Sequence, residues 1–210
     1  MFNPLPLLKC FAEMVERSCT FDGDRQGDGW GAAWQNADGT WQRYRSLLPV
    51  WEDTASFSRA PPTSRLAIHA RSASFAEHIG NLEHNQPYIT TRACFVFNGI
   101  FRGSRLPAGL EGEIGSQKVW SLIQRFLQSY PPEQALEKTA RVLKQVTADL
   151  QAVNVGLISG DGLYALNLFT RNPKYYRLHI AAEKGLSCIA SEHFGCLPFS
   201  PSRQGEVMVL

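Results

Sequence analysis

The sequence predicts an α+β fold built on antiparallel sheets, and three features carry that prediction. Strand-like runs come first, two amphipathic helices follow, and strand-like runs return, an order unlike alternating βαβ units. Two aromatic-rich runs, 30–35 and 40–45, flank Asn36-Ala37-Asp38-Gly39, a hairpin signal. A second tight-turn signature, Gly160-Asp161-Gly162, joins runs 153–159 and 163–170.

The elements follow in order. A helix is expected over residues 6–17, where Leu7, Leu8, Phe11, Met14 and Val15 recur at helical spacing. Residues 19–27 are polar and glycine-containing, a loop. Past the first hairpin, Pro61-Pro62 marks a break and 66–70 reads as a short buried strand. Residues 72–87 are polar and histidine-bearing, as in a surface excursion or an active-site wall. Residues 94–97 form a short apolar strand ending in Asn98-Gly99. Helices are expected over 116–129, with Val119, Leu122, Ile123, Phe126 and Leu127 on one face, and over 132–150, with Ala135, Leu136, Val142, Leu143 and Val146. Pro131-Pro132 separates them, and proline is tolerated in a first helical turn. Residues 175–181, 186–190 and 206–210 read as further strands. No Gly-, Ser- or Pro-rich linker divides the chain, which predicts one domain over 1–210.

Composition narrows the function classes. At 210 residues and 44% hydrophobic, the chain can bury a sizeable core without disulfide or metal staples. The 21 basic and 19 acidic residues are spread evenly, leaving no clustered basic face for nucleic acid. Trp30, Trp34 and Trp41 are expected to pack a hairpin face, since Arg43 and Arg45 alone do not make a basic, base-stacking groove. No apolar stretch approaches the roughly 18 residues of a membrane span. The start, broken by Pro4, Pro6 and Lys9, does not read as a signal peptide. Cys10, Cys19, Cys94, Cys188 and Cys196 are odd in number and form no Cys-x-x-Cys pair, which argues against zinc and a disulfide framework. A cytoplasmic protein with mostly buried thiols is expected. His69, His78, His84, Glu77 and Glu83 cluster in sequence at no metal-ligand spacing. They read as exposed polar loop residues, and no metal or cofactor is expected.

Four segments carry more specific information. They are Asp28-Gly29-Trp30-Gly31; Ile68-His69-Ala70-Arg71-Ser72-Ala73-Ser74; Glu83-His84-Asn85-Gln86-Pro87-Tyr88 followed by Phe95-Val96-Phe97-Asn98-Gly99; and Ile189-Ala190-Ser191-Glu192 followed by Gly205-Glu206-Val207. Each is weak alone. In this order and spacing they resemble the stand-alone class II glutamine amidotransferases of the N-terminal-nucleophile hydrolase superfamily. The resemblance implies a four-layer α/β/β/α sandwich, two antiparallel sheets face to face with helices outside. It also implies a chemistry in which an N-terminal cysteine attacks the amide of glutamine, its own α-amine taking part in proton transfer. Asn98 and Gly99 match the donors of the oxyanion hole, a side-chain amide and a backbone N–H. Arg71 matches the arginine that grips the substrate's α-carboxylate with two parallel hydrogen bonds. Ser74 matches a hydroxyl position near the same ligand.

The chain departs from this pattern at its start. The family opens with Met-Cys, a strand and a loop; here Met1 is followed by Phe2-Asn3-Pro4-Leu5 and the helix begins at once. About ten residues, the nucleophile and first strand, are therefore expected to be missing. Cys10 and Cys94 read as packing thiols, and Cys19 would become N-terminal only after cleavage. The family often has histidine where Gln26, Gln86 and Phe97 stand, and an aspartate for the α-amine near Gly115 or Ser116, where only Glu113 is close. Two explanations stay open: a true start upstream with Met-Cys, or a non-catalytic relative. The function readings are an amidotransferase or amidohydrolase acting on glutamine or a γ-glutamyl compound through a thioester, an inactive amino-acid-binding or regulatory module, and a subunit that passes or receives ammonia. A small-molecule substrate is the implied partner, with a homodimer or an ammonia-accepting protein beside it, and neither nucleic acid nor membrane.

Overall fold

The computed structural model describes residues 1–210 except Asp161, Lys184 and Cys196, so the centre of the Gly160-Asp161-Gly162 turn and the fifth cysteine lie outside the described residues. Contacts divide the chain into two units, Met1–Val96 with His193–Leu197, and Phe97–Glu192 with Pro198–Leu210.

The first unit opens with helix α1 (Leu5–Arg17). Pro6 lies in its first turn, where a missing N–H costs nothing. Ser18 turns extended and closes it, its N–H bonding to the Met14 and Val15 carbonyls. Strands β1 (Trp30–Gln35), β2 (Trp41–Ser46) and β3 (Leu66–Ala70) form an antiparallel sheet in the order β2-β1-β3. The register pairs Ala32 with Tyr44 and with Ile68. Side chains opposite each other share a face, so Trp30, Ala32, Trp34, Tyr44, Leu66, Ile68 and Ala70 form one apolar face. That face packs with Leu8, Ala12 and Val15 of α1 and with Val50 and Phe57. Two expectations need correction. Trp41 pairs with Gln35, so it lies on the face opposite Trp30 and Trp34. β3 is half-buried along its length, not buried, as befits an edge strand with one neighbour.

Asp53 is the polar anchor of this core. Trp30 Nε1 and Tyr44 Oη donate to its Oδ2 at 3.0 and 2.8 Å, and Ser56 Oγ donates to Oδ1 at 2.6 Å. Burial acts to raise its pKa, but the hydrogen bonds from Ser56, Tyr44, Trp30 and Ser46 outweigh burial and hold it below the usual aspartate value. The unit closes with β4 (Tyr88–Ile89) paired to the start of β5 (Ala93–Ser104), Tyr88 opposite Phe95.

In the second unit β5 runs straight through Asn98-Gly99, so these residues lie inside a strand and not at its end. Helices α2 (Gly115–Leu127) and α3 (Pro132–Val146) follow, burying Val119, Leu122 and Ile123, and Ala135, Leu136 and Leu143. α3 ends four residues earlier than its periodicity suggests. The carbonyls of Val146, Leu150 and Gln151 accept from Arg105, Thr170 Oγ1 and Thr170 N, partners outside the helix, and the chain extends at once into β6 (Thr147–Ser159). β7 (Gly162–Phe169) returns antiparallel, Ser159 opposite Gly162. Where a strand was expected from 175, Pro173–Tyr176 is a single helical turn, α4, because Asn172 takes a left-handed φ of 49° and accepts the N–H groups of Tyr175 and Tyr176. Strands β8 (His179–Glu183), β9 (Leu186–Ala190), β10 (Ser200–Pro201) and β11 (Val207–Val209) complete the chain. The ladders run β11-β7-β6-β5 and β10-β8-β9, and β11 with β7, β6 with β7, β10 with β8 and β8 with β9 all pair antiparallel. The α+β class with antiparallel sheets is thus the one the sequence predicts.

A buried amide pair ties this unit together. Asn167 Nδ2 donates to Asn154 Oδ1 at 2.8 Å and to the Tyr176 carbonyl at 3.0 Å, while its Oδ1 accepts from Ser202 Oγ and Leu178 N. Both asparagines are almost wholly buried. Asn167→Ala strands several of these groups and is expected to cost about 2–4 kcal/mol in urea unfolding. Asp53→Asn is expected to cost about 1–3 kcal/mol at pH 7. Because the folded pKa of Asp53 is depressed, its contribution is present above about pH 4 and is lost as pH falls through the folded value. The gap between wild type and variant should therefore narrow from pH 7 to pH 3.

Candidate functional site

Two glycines in β1 and the residue before it shape the face opposite the tryptophan core. Gly29 and Gly31 alternate with Trp30, so both point away from that core. A side chain on Gly31 would meet the Gln86 carbonyl at 2.3 Å. One on Gly29 would meet Asn85 Nδ2 at 2.2 Å and the Ser46 carbonyl at 2.5 Å, and its φ of +111° also favours glycine. The missing side chains let the 83–88 segment lie directly on the strand. β2 straps it there. Arg45 Nη2 bonds Glu83 Oε1 at 2.8 Å and Nη1 reaches the Asn85 carbonyl at 3.4 Å. Arg43 Nη1 donates to the Pro87 carbonyl at 3.3 Å, and Asn85 Nδ2 to the Ser46 carbonyl at 2.7 Å. Burial, then the neighbouring Arg45, push the Arg43 pKa down.

Arg71 projects onto this same face. Its N–H donates to the Gly29 carbonyl and its carbonyl accepts from Asp28 N, both at 2.9 Å. Two residues thus oppose one, a bulge of the kind that re-aims a side chain. Arg71 is 6% exposed. Its Nη2 donates to the His78 carbonyl at 2.9 Å, and its Nη1 is buried without a hydrogen-bond partner. Burial lowers its pKa, and Asp28 and Tyr88 act in the opposite sense; arginine stays charged regardless. Asp28 Oδ2 also accepts from Ala73 N at 2.7 Å, fixing the turn out of β3. Ser74, one residue further, is exposed.

The histidine-bearing stretch is exposed from Ser74 to Glu77 and again at Glu83, as expected for Glu77 and Glu83, and it turns inward only from His84. His84, Asn85 and Gln86 are 2%, 0% and 4% exposed. Tyr88 Oη donates to the His84 carbonyl at 3.1 Å. Asn81 Nδ2 meets His84 Nε2 at 3.3 Å and His84 Nδ1 faces the His78 carbonyl at 3.5 Å, which fits a proton on Nδ1. No group of three or more potential metal ligands occurs among the described residues.

Arg71 and Ser74 belong to the first unit; Asn98 and Gly99 belong to the second. Asn98 is half-buried in β5. Gly99 has a structural duty of its own: a Cβ there would stand 2.2 Å from the Ala152 carbonyl, so β6 crosses where only glycine fits. The thiols divide as well. Cys94 is fully buried and burial drives its pKa far up; burial pushes Cys188 up to about 11. Cys10 is half-buried on α1, and Cys19 is exposed.

No protein-family model and no curated protein matches the sequence. Solved structures do match. A glutamine aminotransferase class-II domain protein from Silicibacter pomeroyi aligns at TM-score 0.65 and 17% identity, over 86% of each chain. A predicted glutamine amidotransferase from Pseudomonas aeruginosa aligns at TM-score 0.57 and 16% identity, over 89% of this chain and 85% of that one. The glutamine phosphoribosylpyrophosphate amidotransferase of B. subtilis aligns at TM-score 0.60 and 13% identity, over 88% of this chain but 41% of its own.

The fold is of the class II glutamine amidotransferase type.

Within this amidotransferase-type fold, sequence reasoning missed Arg43, Arg45, Asn85 and the burial of His84. One signal was present: the alternation Gly29-Trp30-Gly31 puts two glycines on one strand face, which marks a face built to receive backbone. Among the described residues no helix is long and apolar enough to cross a membrane. Gly99→Ala is expected to destabilise the protein by about 1–3 kcal/mol in urea unfolding, the range for overpacking.

Proposed function

We propose that this protein handles glutamine or a γ-glutamyl compound as a cytoplasmic amidotransferase or amidohydrolase. The observation that carries the reading is Arg71, a buried guanidinium with one arm unpartnered, on a fold of amidotransferase type. A carboxylate offers two acceptor oxygens in the geometry of that fork. In this reading Arg71 holds the substrate's α-carboxylate and the Ser74 hydroxyl lies near the same ligand. The attack on the side-chain amide carbon falls to a cysteine at a mature N-terminus, a residue that the Met1-Phe2 start of this sequence does not itself present. The oxyanion that forms is received by the Asn98 amide and the Gly99 N–H. Collapse expels ammonia and leaves a thioester, which water or an acceptor then opens. The ammonia goes to solvent or to an accepting partner protein.

A second reading is an amino-acid-binding module without chemistry, in which the internal thiols take part in no reaction. Cys94 and Cys188 are both held as neutral thiols at pH 7, so neither serves as an attacking thiolate. Calorimetry with L-glutamate, together with ammonia release from L-glutamine, separates the two. Binding with release supports the enzyme; binding without release supports the module. In both, Arg71→Ala is expected to weaken L-glutamate binding by roughly 10- to 100-fold, the worth of a charged hydrogen bond. Arg71→Lys, which keeps the charge but loses the fork, should fall between. Undiminished binding in Arg71→Ala would remove the basis of either reading.

A further inference from the structure

The sheet that contains β6 and β7 ends in an open edge. Among the described residues β11 has one neighbour, β7. Leu163 and Leu210 exchange both backbone hydrogen bonds, at 3.2 and 2.9 Å, and the register sets Val207 opposite Leu166 and Val209 opposite Tyr164. Bonding direction alternates along an antiparallel strand, so the N–H and C=O groups of Val207 and Val209 point away from β7. Edges of this kind are ordinarily blunted by charge, proline or a covering element. The run Val207-Met208-Val209-Leu210 carries neither charge nor proline, and Val209 and Leu210 are 51% and 36% exposed.

A groove of about 530 Å³ runs beside this edge, walled by Glu137, Arg141 and Lys144 of α3 and floored by Leu166, Gly205 and Val207. Glu137, Arg141 and Lys144 recur at spacings of four and three, so they form one stripe along the helix. All three are exposed, and their side chains form no ion pair among the described residues. We infer that β11 is the docking edge for a second copy of this chain, paired antiparallel about a two-fold axis at Val207 with the α3 stripes of the two copies side by side. The inference goes beyond the proposed reaction and does not depend on it.

Three features of the edge favour a second copy over any other strand. First, a two-fold axis normal to the sheet pairs identical edges antiparallel and keeps both α3 helices on one face. Val207 then faces Val207 of the second copy, and the outward N–H and C=O groups of each satisfy those of the other. Second, the same register sets Val209 opposite Gly205 of the second copy. Val207 and Leu166 share the face that carries α3, and Val209, two residues on, points to the same side. Gly205 has no side chain, and no heavy atom stands within 4 Å of where one would be. Each exposed valine therefore has a place in the other copy's groove. Third, the charges agree. Along α3 the stripe runs from acid at Glu137 to base at Arg141 and Lys144. The axis reverses that direction in the second copy and offers each acid to the other copy's bases. A foreign strand could satisfy the backbone but would not bring this stripe reversed.

Sedimentation equilibrium of the full chain at micromolar concentration tests this, and twice the chain mass is expected. Val209→Pro removes an N–H that β7 does not use, at an edge position where strands accept proline. Its dimer dissociation constant should rise roughly tenfold or more, the loss of about one hydrogen bond per copy. Glu137→Lys and Lys144→Glu, taken singly, should each weaken the dimer roughly 3- to 10-fold. The two reversals combined should restore it, because the stripe is again opposite in sign at its two ends. Circular dichroism checks that each variant is folded; should Val209→Pro unfold the chain, the charge reversals decide alone. A wild-type monomer at every concentration overturns the inference and leaves the edge to a strand of a different protein. A dimer of unchanged strength in folded Val209→Pro, or one that the combined reversals do not restore, is built on another surface and overturns it equally.

Discussion

A buried guanidinium must be answered by acceptors, and the first unit is arranged around that demand at Arg71. The cation cannot shed its charge, and it is 6% exposed. Its backbone is fixed by the bulge with Asp28 and Gly29, and one arm is met by the His78 carbonyl. The segment from His84 to Tyr88 is drawn inward on the same face, where Gly29 and Gly31 give it room and the arginines of β2 hold the Asn85 and Pro87 carbonyls. The opposite face of the sheet carries the tryptophan core and α1. One three-stranded sheet thus separates an apolar face that supplies stability from a polar face that carries Arg71.

Much of the fold was legible because local signals agreed with tertiary demands. The Asp38-Gly39 turn placed the β1–β2 hairpin, and the spacing of Leu8, Val15 and their neighbours placed α1. The failures occurred where long-range partners decided. The helical periodicity of 132–150 continues past Val146, but Arg105 claims the Val146 carbonyl that a longer helix would use, and Thr170 holds Leu150 and Gln151 in the strand that follows. Asn98-Gly99 has the composition of a turn, yet the strand runs on because Gly99 is needed for the passage of Ala152. At 175, the left-handed Asn172 starts a helical turn that no strand propensity could foretell.

The site was legible in part. Arg71 was singled out by its motif, and the structure adds its burial and its unpartnered Nη1. The burial of His84, Asn85 and Gln86 was not legible, because polarity argued for solvent and only β2 and the two glycines explain why the segment turns inward. Ser74 was placed with the ligand by motif alone and is exposed. The amidotransferase-type neighbours, at 13–17% identity, share the fold across 86% or more of this chain; the residues must speak for the chemistry.

The central claim is that Arg71 is a carboxylate receptor whose free arm awaits an oxygen. A crystal structure of the protein with L-glutamate tests it most directly. The account predicts a carboxylate oxygen of the ligand within hydrogen-bond distance of Arg71 Nη1. Glutamate bound elsewhere, with Arg71 still facing His78 alone, would contradict it.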